Sequence, residues 1–121
     1  MFYLLILCRF VAKDNNMQNF NFYSPTEFVF GKDRENECGT YVKKYGGSKV
    51  LIHFGSSSAK KSGLLDRVKT SLRNANISFV ELGGVQPNPH DSLVYKGIEI
   101  CRAEGVDFIL AVGGGSVIDS A

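Results

Sequence analysis

The chain has 121 residues, 44% of them hydrophobic, and a formal net charge of +2. This length and apolar content suffice for one domain with a buried core and exclude a wholly disordered chain. A small positive charge without a long basic run argues against nucleic acid as a partner. The three cysteines, Cys8, Cys38 and Cys101, are widely spaced and form no C-x-x-C pair. They predict reduced, buried thiols in a cytoplasmic protein rather than a disulfide framework or a zinc site.

The first part of the chain, residues 1–16, differs in character from the rest. Residues 1–12 are mostly apolar, but this run is shorter than the roughly 20 residues that a membrane-spanning helix needs. Arg9 interrupts it, and no signal-peptide cleavage site follows. We expect Met17 to be the natural start, with residues 1–16 an over-extended reading frame; a weak targeting or anchoring segment is the alternative. Residues 17–121 then form one domain, and no membrane association is expected.

Beyond Met17 the sequence begins with two short extended runs, residues 20–23 and 27–30, which predict an edge hairpin or a strand-turn entry. A helix is expected next, with Asp33 as its N-cap. Its inward stripe has helical spacing and consists of Cys38, Tyr41, Val42 and Tyr45. Gly46 and Gly47 are expected to end it.

Three apolar runs, residues 49–54, 77–82 and 106–112, predict strands separated by two helices. The first of these helices should bury Leu64, Leu65, Val68 and Leu72. The second is expected to start at Asn88 as N-cap with Pro89 in its first position. Its inward face should contain Leu93, Val94, Gly97, Ile98 and Cys101. This alternation predicts an α/β fold: a Rossmann-like parallel sheet with helices on both faces.

The loop after the last strand contains three consecutive glycines, Gly113, Gly114 and Gly115, directly before a helix start. Glycines let the backbone approach an anion closely, and free N–H groups of the following turn can bind it. The loop therefore predicts phosphate binding. A tight turn is the alternative, in which Ser116 is the helix cap and Asp119 completes a capping box.

The loop after residues 49–54 bears on the choice of cofactor. NAD-binding sites often place a carboxylate at such a strand end, where it accepts hydrogen bonds from the ribose diol. Here no acid follows Phe54 until Asp66, and Lys60 and Lys61 are nearby. The loop itself is made of Gly55, Ser56, Ser57 and Ser58. Hydroxyls and cations suit a ribose 2′-phosphate, so NADP(H) is favoured over NAD(H); a flexible Ser-rich helix cap with solvated lysines is the alternative.

The two histidines do not suggest a metal site. His53 lies within a predicted strand and is expected in the core, and His90 is expected at the surface. Neither has a carboxylate partner at metal-ligand spacing, so no metal site is predicted in this chain.

Three segments together resemble the iron-containing (group III) alcohol dehydrogenases, in particular the butanol-dehydrogenase-like branch. They are FYSPTEFVFGK at residues 22–32, GVQPNP at residues 84–89, and AVGGGSVIDSA at residues 111–121. The second is similar to the family's V-x-P-N-P loop and the third to its G-G-G-S-x-x-D-x-A-K segment. The segments occur in family order and span the chain from about Phe20 to its end.

The resemblance implies that residues 17–121 are the N-terminal dinucleotide-binding domain, truncated, of a longer enzyme. In such an enzyme a C-terminal helical domain, which is missing here, binds Fe²⁺ or Zn²⁺ through one Asp and three His. Residues Gly113 to Ser116 would contact the cofactor pyrophosphate, Asp119 would lie near the nicotinamide, and Asn88 would line the cofactor cleft. Gly55 and Ser56 fall near the position of the ribose-binding Asp of NAD-preferring members, which again favours NADP(H).

The implied reaction is reversible hydride transfer between NADP(H) and a small alcohol or aldehyde, in a cytoplasmic enzyme that is plausibly a homodimer. No catalytic or metal-binding residue is assigned in this chain, and the fragment is expected to be inactive. Two alternatives remain open. One is a related glycerol-dehydrogenase or dehydroquinate-synthase-like enzyme, and the other is a non-catalytic truncated gene product.

Overall fold

The structure, a computed structural model, describes residues 25–55, 58–88 and 90–121. A 3₁₀ helix, Arg34–Glu37, leads directly into helix α1, Cys38–Lys44. The remaining elements are, in order, β1 (Lys49–Gly55), α2 (Ser58–Lys61), α3 (Leu64–Asn74), β2 (Ser78–Val85), α4 (Asp91–Glu104), β3 (Phe108–Val112) and α5 (Gly115–Asp119). The predicted leader at residues 1–16, the extended run at 20–23 and Cys8 lie outside the described residues.

The sheet is parallel, with strand order β2-β1-β3. In the middle of it, β1 is buried continuously from Val50 to Phe54, because elements cover both faces of a parallel sheet. One face carries Val50, Ile52 and Phe54 against α1 and α3. The other carries Leu51 against α4. The α/β fold with helices on both faces, predicted from the order of elements, is confirmed.

The helix between β1 and β2 forms as its pattern predicts. Leu65, Val68 and Leu72 of α3 are buried, and Leu64 packs against the same core. Gly63, with φ of 71°, separates α3 from the short α2. The first helix also ends where expected, because Gly46 and Gly47 donate backbone hydrogen bonds to Lys43 and Val42 at 3.0 and 2.9 Å.

Near the start of the described chain one prediction is wrong and one holds only in part. Residues 27–30 form no strand, and Phe28 and Phe30 are exposed. Asp33 is the N-cap residue, as predicted, but of a helix that begins in 3₁₀ form, and its side chain makes no capping hydrogen bond. Its backbone is left-handed, with φ of 61°, a conformation that Asp and Asn tolerate better than most residues.

Helix α4 begins later than predicted and buries less. Its N-cap is His90, not Asn88, whose backbone is left-handed with φ of 57°. Of the five residues expected to face inward, Gly97 is buried, whereas Val94 and Ile98 are exposed at 37% and 39%. Among the described residues no helix combines the length and apolarity that crossing a membrane requires.

Candidate functional site

The loops that follow the three strands meet at one edge of the sheet. In the register of the parallel strands Gly55 pairs with Val85, and Phe54 pairs with Val112, so the three strands end side by side. The chain leaves β1 for one neighbour, β2, and returns to the other, β3. This reversal next to β1 is the topological switch point at which open α/β sheets bind ligands.

Gly113 differs from the two glycines after it. Its φ is 156°, and a Cβ there would lie 2.7 Å from Cγ2 of Val117. The chain's own packing thus requires a glycine at this position. Gly114 and Gly115 have no positive φ, and a Cβ on either would meet nothing within 4 Å. Packing within the described chain leaves the space beside these two glycines open to a ligand.

The capping interpretation of Ser116 and Asp119 is wrong. Helix α5 starts at Gly115, one residue before Ser116, its N-cap is Gly114, and no side chain caps it. Ser116 therefore lies inside the first turn, and Asp119 is an exposed residue at the helix end. Neither side chain makes a hydrogen bond within the described part of the chain, which leaves both available to a ligand.

The loop after β1 approaches the three-glycine loop from the other side. A Cβ on Gly55 would lie 3.8 Å from both Cγ2 of Val117 and the carbonyl oxygen of Val85. The positions of Ser56 and Ser57 and the side chain of Ser58 lie outside the described residues. Lys60 in α2 is exposed, and its Nζ stands 5.3 Å from the centre of the Phe54 ring. A cation is therefore held near the end of β1.

Asn88 follows β2 at the same edge. Since the helix starts at Asp91, the side chain of Asn88 has no capping role, and it is exposed. Asn88 is therefore not the helix cap that the sequence predicted. It lies in the loop that follows β2.

A polar contact that the sequence did not reveal links β1 to α5. His53 is buried, as expected, and its Nε2 lies 2.7 Å from Oγ of Ser120. Burial lowers the pKa of His53, and the Leu82 backbone opposes this effect. The sequence signal for this contact was a histidine within an apolar strand. Its partner, Ser120, could be found only from the packing of α5 on the sheet.

The remaining groups in the described residues that could carry chemistry include two cysteines and a second histidine. The pKa of the Cys38 thiol is raised by burial, and Cys101 is half-buried. His90 is exposed, as predicted. No cluster of His, Cys, Asp and Glu suitable for a metal ion occurs among residues 25–55, 58–88 and 90–121.

An apolar groove of about 700 Å³ runs between the sheet and α4. Its lining includes Leu51, Leu82, Val94 and Ile98, and none of the three glycines of residues 113–115. The groove lies on the α4 face of the sheet and reaches His53, Ser120 and Ala121, beside the turn that contains the three glycines.

The described chain matches known proteins across nearly its whole length. A family model described as iron-containing alcohol dehydrogenase matches residues 25–121. The crystal structure of NADH-dependent butanol dehydrogenase A from Thermotoga maritima superposes with a TM-score of 0.80 and 45% identity, covering 87% of this chain and 26% of that one.

The names of two curated relatives specify different cofactors. NADH-dependent butanol dehydrogenase A of Clostridium acetobutylicum is 50% identical over 103 residues, which are 85% of this chain and 26% of that protein. The NADPH-dependent aldehyde reductase YqhD of Escherichia coli is 39% identical over 103 residues, with the same two coverages. The chain thus spans about a quarter of the length of these relatives.

Proposed function

Because the chain belongs to the iron-containing alcohol dehydrogenase family, we propose that it is the cofactor-binding part of an NADP(H)-dependent alcohol dehydrogenase. The whole enzyme would transfer hydride reversibly between the nicotinamide and a small, butanol-like alcohol or its aldehyde. The names of the matched relatives support this over a glycerol dehydrogenase or a dehydroquinate-synthase-like enzyme.

The open space beside Gly114 and Gly115 carries the proposal. A turn that served geometry alone would need a glycine only at Gly113, where φ and contact with Val117 demand it. Two further glycines in ordinary backbone conformations expose peptide N–H groups, which can donate to pyrophosphate oxygens. Ser116 supplies a hydroxyl in the same turn, and Gly55 and Asn88 stand at the neighbouring strand ends.

The experiment that tests this proposal replaces Gly115 by Ala in the 121-residue chain. The added methyl meets no protein atom, so the free energy of unfolding should stay within about 0.5 kcal/mol or rise slightly. NADPH affinity, measured by titration of its fluorescence, should fall because the methyl group keeps the pyrophosphate away from the backbone. Thr70→Ala, on the exposed surface of α3, is the control. Equal NADPH affinity in Gly115→Ala and the parent chain would contradict the proposal.

The preference for NADP(H) is a separate part of the proposal. It is supported by the absence of acid between Phe54 and Asp66 and by the exposed Lys60 at the end of β1. The relatives' names include both cofactors, so they favour neither. In competition for the chain, NADPH should bind more tightly than NADH. Lys60→Gln should reduce the ratio of the two affinities. An equal or greater affinity for NADH would overturn this preference.

The metal of the family supplies a Lewis acid that polarises the substrate oxygen. The described residues do not fit such an ion, because they bring together no set of His, Cys, Asp and Glu ligands. This part of the chain is therefore proposed to bind and orient the nicotinamide and not to activate the alcohol. We expect the 121-residue chain with NADPH to leave butyraldehyde unreduced, as followed by the absorbance of the reduced nicotinamide.

A further inference from the structure

The contact between His53 and Ser120 joins the centre of the sheet to the turn that contains the three glycines. His53 is 2% exposed and lies in β1, the strand with a neighbour on each side. Ser120 is the first residue after α5, and α5 begins at Gly115. A 2.7 Å approach between Nε2 and Oγ connects them.

The Ser120 hydroxyl has a second neighbour, the carbonyl oxygen of Val117, to which it can donate its proton at 3.2 Å. When it does so, Oγ accepts from the Nε2–H of His53. In the other tautomer of His53, the hydroxyl would instead donate to Nε2. The other ring nitrogen, Nδ1, is buried and has no hydrogen-bond partner in the described part of the chain. Burial lowers the pKa of His53, against the opposing effect of the Leu82 backbone, and so favours the neutral ring.

Packing alone does not explain a histidine here. Leu51 and Leu82, the residues beside it on the α4 face of the sheet, are apolar and buried. An apolar side chain would fill the position without leaving the buried Nδ1 unpaired, which is unfavourable. A leucine at this position could not form the hydrogen bond to Ser120.

From Ser120 the contacts continue to the glycines. The Ser120 hydroxyl donates to the Val117 carbonyl oxygen, and the Val117 N–H donates to the Gly114 carbonyl oxygen at 3.0 Å. The Val117 side chain also fills the space beside Gly113. The turn of residues 113–120 is thus tied to β1 at its far end.

We propose that His53 is a positioning residue, whose Nε2–H holds Ser120 and thereby fixes the backbone of residues 113–115. That fixed backbone favours a pyrophosphate because its N–H groups need no reordering when the ligand binds. The role in cofactor affinity rests on the proposed function, whereas the tautomer and the ordering of the turn do not.

The test compares four single variants of the 121-residue chain. His53→Gln keeps an N–H donor, and His53→Leu removes it. Ser120→Ala removes the acceptor, and Ser120→Thr keeps it. Nitrogen-15 NMR reports the tautomer of His53 and the order parameters of residues 113–121, and urea denaturation reports the stability of each variant.

We expect the Nε2–H tautomer in the parent chain. Order parameters of residues 113–121 should fall in His53→Leu and Ser120→Ala, and should stay near the parent values in His53→Gln and Ser120→Thr. Residues of α3 should be unchanged in all four. His53→Leu should unfold at the same or a higher urea concentration than the parent, because it removes the unpaired Nδ1. This combination of a looser turn and undiminished stability would not arise from a role in packing alone.

NADPH and inorganic pyrophosphate are then titrated against each variant. Affinity should weaken about fivefold in His53→Leu and Ser120→Ala, the change expected for one ordinary hydrogen bond. The double variant should be no weaker than either single variant. An Nδ1–H tautomer, or an undisturbed turn in His53→Leu, would overturn the proposal. If the parent chain binds neither ligand, the proposed function fails, while the tautomer and order parameters still decide the role of His53.

Discussion

Gly113 occupies a backbone conformation that L side chains rarely adopt, in contact with Val117. Both conditions act together, because a methyl group would be strained by φ of 156° and would overlap Cγ2 of Val117 at 2.7 Å. Relief requires either the turn or Val117 to move. Val117 is buried against the end of the sheet, so little movement is available without loss of packing.

We therefore expect Gly113→Ala to lower the free energy of unfolding by about 1–3 kcal/mol. The measurement is urea denaturation followed by circular dichroism. Gly114→Ala is the matched control, since the same methyl group there meets open space. Equal stability of the two variants would show that the turn at Gly113 relaxes freely.

Two residues that the sequence predicted as helix caps share one property. Asp33 and Asn88 belong to the set that caps helices, and both were interpreted as caps. The same short polar side chains also tolerate the left-handed conformation, which is what both adopt. Residue type alone does not separate these two uses, because the backbone conformation at each position depends on the surrounding packing.

At the scale of elements, Asp107 fastens the entrance of β3 to the entrance of β1. Its carboxylate accepts the backbone N–H groups of Ser48 and Lys49, at 2.9 Å each, and also the Ser48 hydroxyl. Burial raises the pKa of this carboxyl, but the hydrogen bonds from Ser48 and Lys49 outweigh it, and the net pKa is lowered.

A folded-state pKa below the unfolded value means that the carboxylate contributes stability above the unfolded pKa, near 4. This contribution is lost as pH falls through the folded pKa. Asp107→Asn should thus cost about 1 kcal/mol at neutral pH, and its stability should converge with that of the parent below about pH 4. Urea denaturation across this pH range is the measurement. Asp66→Asn, an exposed carboxylate of α3, is the control. A constant difference at all pH values would contradict this role for Asp107.

The strands and α3 could be predicted because their hydrophobic patterns match a single geometry. The runs of β1 and β3 are continuous, as expected for strands covered on both faces, and Leu65, Val68 and Leu72 repeat at helical spacing. Residues 27–30 are just as apolar but form no strand. A strand requires a hydrogen-bonded neighbour, and that is a property of the tertiary structure, which a local pattern does not contain.

For the whole molecule, the order of elements was sufficient to predict the sheet and the edge where its loops meet. Alternating strands and helices require crossovers between parallel strands, and here they join the strands in the order β2-β1-β3. The candidate residues Gly55, Asn88 and Gly113 consequently fall at neighbouring strand ends. The link between His53 and Ser120 could not be predicted, because it depends on how α5 lies across the sheet.

The face that α4 shares with the sheet leaves apolar side chains accessible. Val94 and Ile98 line the groove of about 700 Å³, and both are more than a third exposed. Exposed apolar patches of this kind bind hydrophobic dyes and promote association. The 121-residue chain should therefore enhance the fluorescence of an anilinonaphthalene sulfonate dye. Its apparent molecular mass, measured by light scattering, should rise with concentration.

Ile98→Lys should reduce both signals, because it places a charge at the rim of the groove, and it should change the free energy of unfolding by less than about 1 kcal/mol. Tyr95→Lys is the matched control. Tyr95 lies on the same helix and is 64% exposed, but it does not line the groove. The two substitutions add the same charge, so any difference between them reports the groove and not the net charge of the chain. If Tyr95→Lys reduced dye binding as much as Ile98→Lys, the association would arise from general surface charge and not from the apolar face of α4.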